Sequence, residues 1–249
     1  MRYSIAIVLA LLLGFALPSC SENPSSSEGL KGTLTLVTIL TDENGIRFTD
    51  HSDVTATIDG TTRTGTSDAD GFISFPDLAA GTYVITLTKP GFSAIKIFGA
   101  QFVGGGTAYI RDVFLTELPT YDITTIAATV DTTASWGLEY VNITGSLSSA
   151  APDANGRLLR VFLDTASDVS SSKFINAGPV QIQAGDREFR RLVELSGLRK
   201  AGVAKGTKVY AIAYPASLWT VGYFDPTKRR WVEANLAPQA SQRVSFVMP

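Results

Sequence analysis

The chain has very little of the two residue types that build most metal sites and catalytic triads. Among its 249 residues there is one cysteine, Cys20, and one histidine, His51. One residue of each type excludes a disulfide framework and a zinc site made of several histidine and cysteine ligands. A catalytic triad would have to use His51, whose neighbours on an extended chain point to opposite faces rather than toward one reacting atom. We therefore expect no catalytic residues, no metal and no cofactor.

An excess of charge of one sign is also missing. Lysine and arginine number 21, aspartate and glutamate number 23, and the net charge is −2. A nucleic-acid-binding domain is usually strongly basic, so we expect no nucleic-acid partner. With 45% hydrophobic and 18% charged residues, the composition is that of a folded globular protein.

The longest uncharged apolar run covers residues 5–17. Its 13 residues are too few to span a bilayer comfortably, and Arg2 supplies a positive charge before them, as in a signal peptide. The run ends in the sequence LPSC at residues 17–20, which resembles the lipobox of bacterial lipoproteins. The resemblance implies that residues 1–19 are removed and that acyl chains on Cys20 hold the protein to a membrane. In the alternative, Cys20 is an incidental thiol beside an ordinary cleavage site.

Residues 20–30 are polar and rich in serine, and we expect them to form a flexible tether. Ser21 directly after the cysteine resembles lipoproteins that are sorted to the outer membrane. The serine-rich segment with Glu22 and Glu28 resembles the surface-export signals of Bacteroidetes lipoproteins. The expected location is therefore the cell envelope, with the outer membrane and its exposed surface as the implied destinations.

From residue 31 onward, apolar and polar positions alternate with the period of two that is typical of half-buried strands. Leu34 and Leu36 belong to the first such segment, and turn-forming residues separate each segment from the next. Threonine, a β-branched residue that favours strands, occurs 27 times. The best candidate for a helix beyond the signal peptide is short, at residues 198–204. The pattern predicts an all-β protein of sandwich or barrel type.

One stretch, at residues 68–92, has a specific arrangement of turns and strands. It contains DADGFISF, then LAAGTY, then GF. With its flanking strands it resembles the carboxypeptidase regulatory-like domain, which implies a transthyretin-like β-sandwich over residues 31–118 that serves as an accessory module without catalytic residues. Asp68 and Asp70 also begin a calcium-loop pattern. Ala79 stands where that pattern needs its last acid, so we interpret both aspartates as turn residues.

Residues 121–249 differ in charge from the first half. The net charge changes from −5 before residue 121 to +3 after it. Seven strand-like segments suit an immunoglobulin or fibronectin type III-like sandwich, and residues 206–214 resemble a late strand of a fibronectin type III module. We therefore predict a second β-sandwich over residues 121–249. The predicted strands cover residues 121–130, 138–147, 157–163, 189–195, 207–214, 220–224 and 243–248.

All three tryptophans lie in this second half, at Trp136, Trp219 and Trp231. Trp136 is expected in the core, because a tryptophan has a large area to bury. Trp219, Tyr223 and Trp231 flank a predicted hairpin turn at residues 225–228, and exposed aromatic faces can stack on sugar rings. We select these three as candidate ligand-binding residues for a carbohydrate.

These patterns together predict a non-enzymatic, lipid-anchored binding or scaffolding module of the cell envelope, whose partner is a glycan or an envelope protein. An alternative is a structural subunit of a fimbrillin-like surface polymer that assembles by strand addition, with residues 243–248 as the added strand. The basic residues 228–230 are interpreted as a solvated turn, with an anion site as the alternative. An enzyme is the third hypothesis, because the separation of a glycosidase carboxylate pair depends on the fold.

Overall fold

The fold is described from a computed structural model. Its described residues are 29–133, 138–152, 155–219 and 221–249. The predicted signal peptide, Cys20, most of the predicted tether and Trp136 lie outside them. The described residues form sixteen strands and one short helix, so the predicted all-β sandwich class is confirmed. No helix in this part of the chain is long and apolar enough to cross a membrane.

The first seven strands form two sheets that pack face to face. They are β1 (Lys31–Thr41), β2 (Thr55–Ile58), β3 (Thr64–Thr66), β4 (Phe72–Ala79), β5 (Gly81–Thr88), β6 (Ile95–Phe102) and β7 (Thr107–Thr116). One sheet has the order β4-β1-β7 and the other β3-β2-β5-β6. Inward side chains of both sheets, such as Leu36 and Ile85, are fully buried in one core. This first core follows from the alternation, because every second residue of each strand faces the opposite sheet.

Nine further strands follow, of which seven form a second pair of sheets and two form a separate hairpin. They are β8 (Ile123–Asp131), β9 (Tyr140–Leu147), β10 (Arg157–Asp164), β11 (Asn176–Ile182), β12 (Glu188–Glu194), β13 (Lys208–Ala216), β14 (Gly222–Asp225), β15 (Arg230–Glu233) and β16 (Val244–Val247), with helix α1 (Leu195–Lys200) after β12. The sheet orders are β12-β9-β8 and β11-β10-β13-β16. Leu159 and Ile143 meet in the core between them, while Phe162 and Ile212 are buried on the other face of β10 and β13. Burial on both faces explains the nearly continuous apolar run of β10.

The sequence does not predict β11, and the structure shows why a strand forms there. Gly178 and Pro179 read as turn residues, yet β11 is an edge strand, where the missing N–H of a proline costs no central ladder hydrogen bond. The guanidinium group of Arg191 lies where a side chain at position 178 would be. The helix also differs from its prediction at residues 198–204. It starts at Leu195, since Leu195 and Leu198 are both buried in the second core.

The hairpin predicted at residues 225–228 forms with β14 and β15 as its two strands, and its turn lies one residue later, at residues 226–229. This hairpin forms a separate two-stranded sheet beside β6 of the first group. Val221, Tyr223 and Ala234 of the hairpin segment pack on the first core, although they belong to the second half of the sequence. The hairpin therefore covers an open side of the first sandwich, where edge strands β6 and β7 leave the core accessible.

Candidate ligand groove

A groove of about 440 Å³ lies where the hairpin meets the first sandwich. Its base is formed by edge strands β6 and β7, and its wall by the hairpin segment. Most of its lining is apolar, with polar groups at only a few positions. The lining residues are Ile95, Lys96, Ile97, Ile110, Asp112, Val113, Phe114, Trp219, Val221, Gly222, Tyr223 and Trp231.

The three aromatic residues selected from the sequence all line this groove. Trp219 is 53% exposed and Trp231 is 49% exposed, so each indole presents part of its surface to solvent. Trp219 stacks on Phe114 of β7, with ring centroids 6.1 Å apart and planes 19° apart. Tyr223 contacts Phe98 of β6 at a centroid distance of 6.0 Å. The structure thus brings Trp219, Tyr223 and Trp231 together, whereas the sequence placed them only near one turn.

Two glycines allow the tryptophans to lie close to the backbone. Gly45 has φ +81°, and a Cβ added to it would collide with the indole nitrogen of Trp219. A Cβ on Gly222 would meet the indole of Trp231 in the same way. A side chain at either position would therefore displace a groove wall. The Asp-Glu-Asn-Gly turn at residues 42–45 signals a turn in the sequence, but nothing in the sequence shows that it supports Trp219.

Buried hydrogen bonds fix the stem of the hairpin. The fully buried Asn235 donates its side-chain amide to the carbonyl oxygens of Ser217 and Trp219, at 2.9 and 3.0 Å. Ser217 Oγ donates to the carbonyl of Glu117 at 2.5 Å, and Leu218 N–H donates to the carbonyl of Glu43 at 2.8 Å. The last two bonds cross to the first sandwich. They hold the stem of the hairpin segment against the ends of β1 and β7.

An ion pair connects the hairpin to the second sandwich. Arg160 of β10 and Glu233 of β15 lie 3.0 Å apart, and each side chain is only 16% exposed. Arg191 lies near Arg160 and is itself largely buried. That burial, together with the charge of Arg160, lowers the pKa of Arg191 to about 10. Glu233 therefore supplies negative charge beside a pair of arginines.

Two charged residues line the groove. Lys96 Nζ lies 2.8 Å from Asp59 Oδ2, and their hydrogen bond raises the pKa of Lys96 and lowers the pKa of Asp59. Asp112 is exposed on β7 and has φ +59°, a left-handed backbone conformation. Neither Lys96 nor Asp112 was predicted as a groove residue from the sequence. A Lys in an alternating strand and an Asp after an Arg carry no local signal of a groove.

The basic hairpin tip is a turn held by an aspartate. Asp225 Oδ1 accepts hydrogen bonds from Thr227 N and Oγ1, at 2.9 and 2.6 Å, and these lower the pKa of Asp225 to about 2. Lys228 and Arg229 are exposed, whereas Arg230 Nη1 donates to the carbonyl of Ser172. The solvated-turn interpretation of residues 228–230 fits Lys228 and Arg229, whereas Arg230 is half-buried and begins β15.

His51 is a structural residue rather than a member of a triad. It is 4% exposed, Leu40 N–H donates to its Nδ1 at 3.1 Å, and its Nε2 lies 3.0 Å from Arg47 Nε. Asp68 also has a structural role, since its Oδ1 accepts a hydrogen bond from Phe72 N–H in a turn. Among the residues that the structure describes, no group of three or more His, Cys, Asp or Glu side chains is arranged to hold a metal ion.

The chain resembles several solved structures at low sequence identity. No family model and no curated protein matches the chain. A candidate carbohydrate binding protein from Bacteroides uniformis ATCC 8492 is 14% identical, with 88% of this chain and 100% of that chain covered and a TM-score of 0.32. BcpA, the major pilin subunit of Bacillus cereus, is 13% identical, with 88% and 69% covered and a TM-score of 0.28.

A chain of a type II cohesin–X-dockerin complex from Acetivibrio cellulolyticus is 20% identical, with a TM-score of 0.28. The match covers 34% of this chain and 56% of that one, so this chain spans little more than half of that relative. TM-scores of this size carry no inference about function.

Proposed function

We propose that the protein is a non-catalytic binding module of the bacterial cell envelope that holds a glycan in the groove beside Trp219, Tyr223 and Trp231. The single observation that supports this proposal is the meeting of two half-exposed indoles and one tyrosine in one groove. Exposed tryptophans that share a concave, mostly apolar surface are uncommon unless a ligand covers them.

The dimensions and chemistry of the groove suit a sugar ring. Its volume of about 440 Å³ lies within the range of small-molecule sites. The flat faces of the indoles match the apolar C–H face of a pyranose, and Lys96 and Asp112 supply a donor and an acceptor for its hydroxyl groups. The stem bonds of Asn235 hold these walls in place, so little ordering entropy is lost on binding.

The test is a glycan-array screen of residues 21–249, which contain both cores, followed by titration of each bound glycan. Trp231→Ala removes a groove wall. Tyr109→Ala is the matched control, because Tyr109 is 51% exposed on β7 but does not line the groove. We expect glycan binding that is lost in Trp231→Ala and kept in Tyr109→Ala. Absence of binding to the unaltered chain, or equal binding by both variants, would contradict the proposal.

Anchoring through Cys20 is part of the same proposal and is supported by the lipobox resemblance of residues 17–20. The test is expression of the full chain in a bacterium supplied with a labelled fatty acid, beside Cys20→Ser. We expect label and membrane association in the unaltered protein only. Label retained in Cys20→Ser would contradict acylation at this residue.

The alternative of a strand-exchanging surface polymer gains no support from the position of β16. This strand pairs with β13 of its own sheet, from Lys208 opposite Val247 to Ala211 opposite Val244. Polymer formation by donation of β16 would first break this pairing. Light scattering during size-exclusion chromatography distinguishes the two functions, because a strand-exchanging subunit forms concentration-dependent polymers.

A further inference from the structure

We propose that Asp112 makes the groove selective for neutral glycans over acidic ones. This inference rests on the proposed function, because it assigns a ligand class to the same groove. Asp112 is a charged groove residue whose backbone has an unusual, left-handed conformation.

Asp112 lies in a β-bulge of strand β7. On β1, Leu36 pairs with Ile110 and Thr38 pairs with Val113, so Arg111 and Asp112 together oppose the single residue between them. A bulge changes which face the following side chains occupy. The φ of +59° at Asp112 is unfavourable for most residues, although Asp and Asn tolerate it better than others. The bulge thus directs an aspartate into the groove at a cost in backbone energy.

The charge of Asp112 has no counter-ion among the described residues. Its carboxylate makes no ion pair and accepts no hydrogen bond from them. The neighbouring Arg111 places its guanidinium over the ring of Tyr109, at 4.9 Å from the centroid. Lys96, the other charged lining residue, is paired with Asp59 at 2.8 Å. The charge that the groove lining offers to a ligand is therefore negative.

This arrangement distinguishes two classes of sugar. A carboxylate accepts hydrogen bonds from two neighbouring hydroxyl groups of a neutral sugar without losing a partner of its own. An acidic sugar brings a second carboxylate toward Asp112, and like charges at close range repel. The basic residues of the hairpin tip do not line the groove, so they do not cancel this repulsion inside it.

The experiment uses matched oligosaccharides that differ only in oxidation of C6 to a carboxylate: galactose, glucose and mannose oligomers with the corresponding uronic acid oligomers. Each is titrated into residues 21–249 and into Asp112→Asn, which keeps the tolerance for positive φ and removes the charge. We expect the unaltered chain to bind the neutral member of a pair at least about tenfold more tightly. The ratio should fall close to one in Asp112→Asn, and added salt should narrow it in the unaltered chain.

A second variant, Asp112→Gly, fits the same backbone without a side chain. We expect it to unfold at the same temperature as the unaltered chain or higher, and to bind the neutral oligomers more weakly. Glycan binding with an unchanged neutral-to-acidic ratio in Asp112→Asn would overturn this inference and leave the proposed function intact. A preference of the unaltered chain for the acidic members would do the same. Absence of binding to every oligomer would overturn both.

Discussion

The indole of Trp219 stacks on the phenyl ring of Phe114, and the two rings belong to opposite halves of the chain. Phe114 is a residue of β7 in the first sandwich, whereas Trp219 follows β13 of the second. The same indole forms a wall of the groove. Trp219 is therefore both a candidate ligand contact and a contact between the two groups of sheets.

Because Trp219 also joins the two groups of sheets, its replacement should reduce stability more than replacement of Trp231. Trp219→Ala should lower the free energy of unfolding by about 1–2 kcal/mol, since it removes a stacked aromatic pair and its buried area. Trp231→Ala should cost less, because Trp231 has no such ring partner among the described residues. Denaturant unfolding of both variants measures the difference. Equal destabilisation by the two substitutions would contradict the assignment of Trp219 as the joining residue.

Asn235 should be more important for stability than its small size suggests. Asn235→Ala removes a buried hydrogen bond to the carbonyl of Ser217 and a half-buried one to the carbonyl of Trp219, and we expect the free energy of unfolding to fall by about 1–3 kcal/mol. The bond from Ala234 N–H to the carbonyl of Val221 should then open more often. Thermal unfolding measures the first effect and amide hydrogen exchange at Ala234 the second. Unchanged exchange at Ala234 would show that other contacts hold the stem.

Glu233 should be needed to balance buried positive charge. Glu233→Gln leaves the guanidinium of Arg160 without its ion pair beside Arg191, and removal of one partner of a buried pair commonly costs about 3 kcal/mol. Because each side chain is still 16% exposed, we expect about 1–3 kcal/mol. The double variant Arg160→Met/Glu233→Met should lose less than Glu233→Gln alone. A double variant that is less stable than the single one would contradict this explanation.

His51 should make stability depend on pH in mildly acidic solution. Burial, followed by the charge of Arg47, lowers the pKa of His51 below its ordinary value of 6.5. The unfolded chain therefore binds a proton at a higher pH than the folded chain does. Stability is complete above about pH 6.5 and falls as the pH drops toward the lowered pKa, with a slope of at most about 1.4 kcal/mol per pH unit.

The measurement is denaturant unfolding of the unaltered chain and His51→Asn at several values from about pH 7.5 to about pH 5.5. Asn can accept the hydrogen bond from Leu40 N–H but does not titrate. Carboxylates titrate in both proteins, so the difference between the two isolates His51. We expect the stability advantage of the unaltered chain to shrink as the pH falls. A difference that is constant with pH would show that His51 is protonated equally in both states.

The parts of the fold that could be predicted from the sequence are those set by local patterns, namely the alternation within strands and the residues of turns. The strands around Leu34 and Leu36 were predictable because their side chains alternate with a period of two. The hairpin turn was predictable because Asp225 and Pro226 are turn residues. Strand β11 was not predictable, since Gly178 and Pro179 are tolerated only through its edge position and its contact with Arg191. Edge position is a property of the assembled sheet.

The sequence by itself determined the all-β class, the turns and the three aromatic candidates, because strand period and turn chemistry are local. Only the tertiary structure decided that Trp219, Tyr223 and Trp231 share one groove with Asp112 and Lys96. That groove requires a hairpin from the second half of the chain to pack against the edge strands of the first sandwich. Such packing depends on contacts between residues far apart in sequence, and no local pattern encodes it.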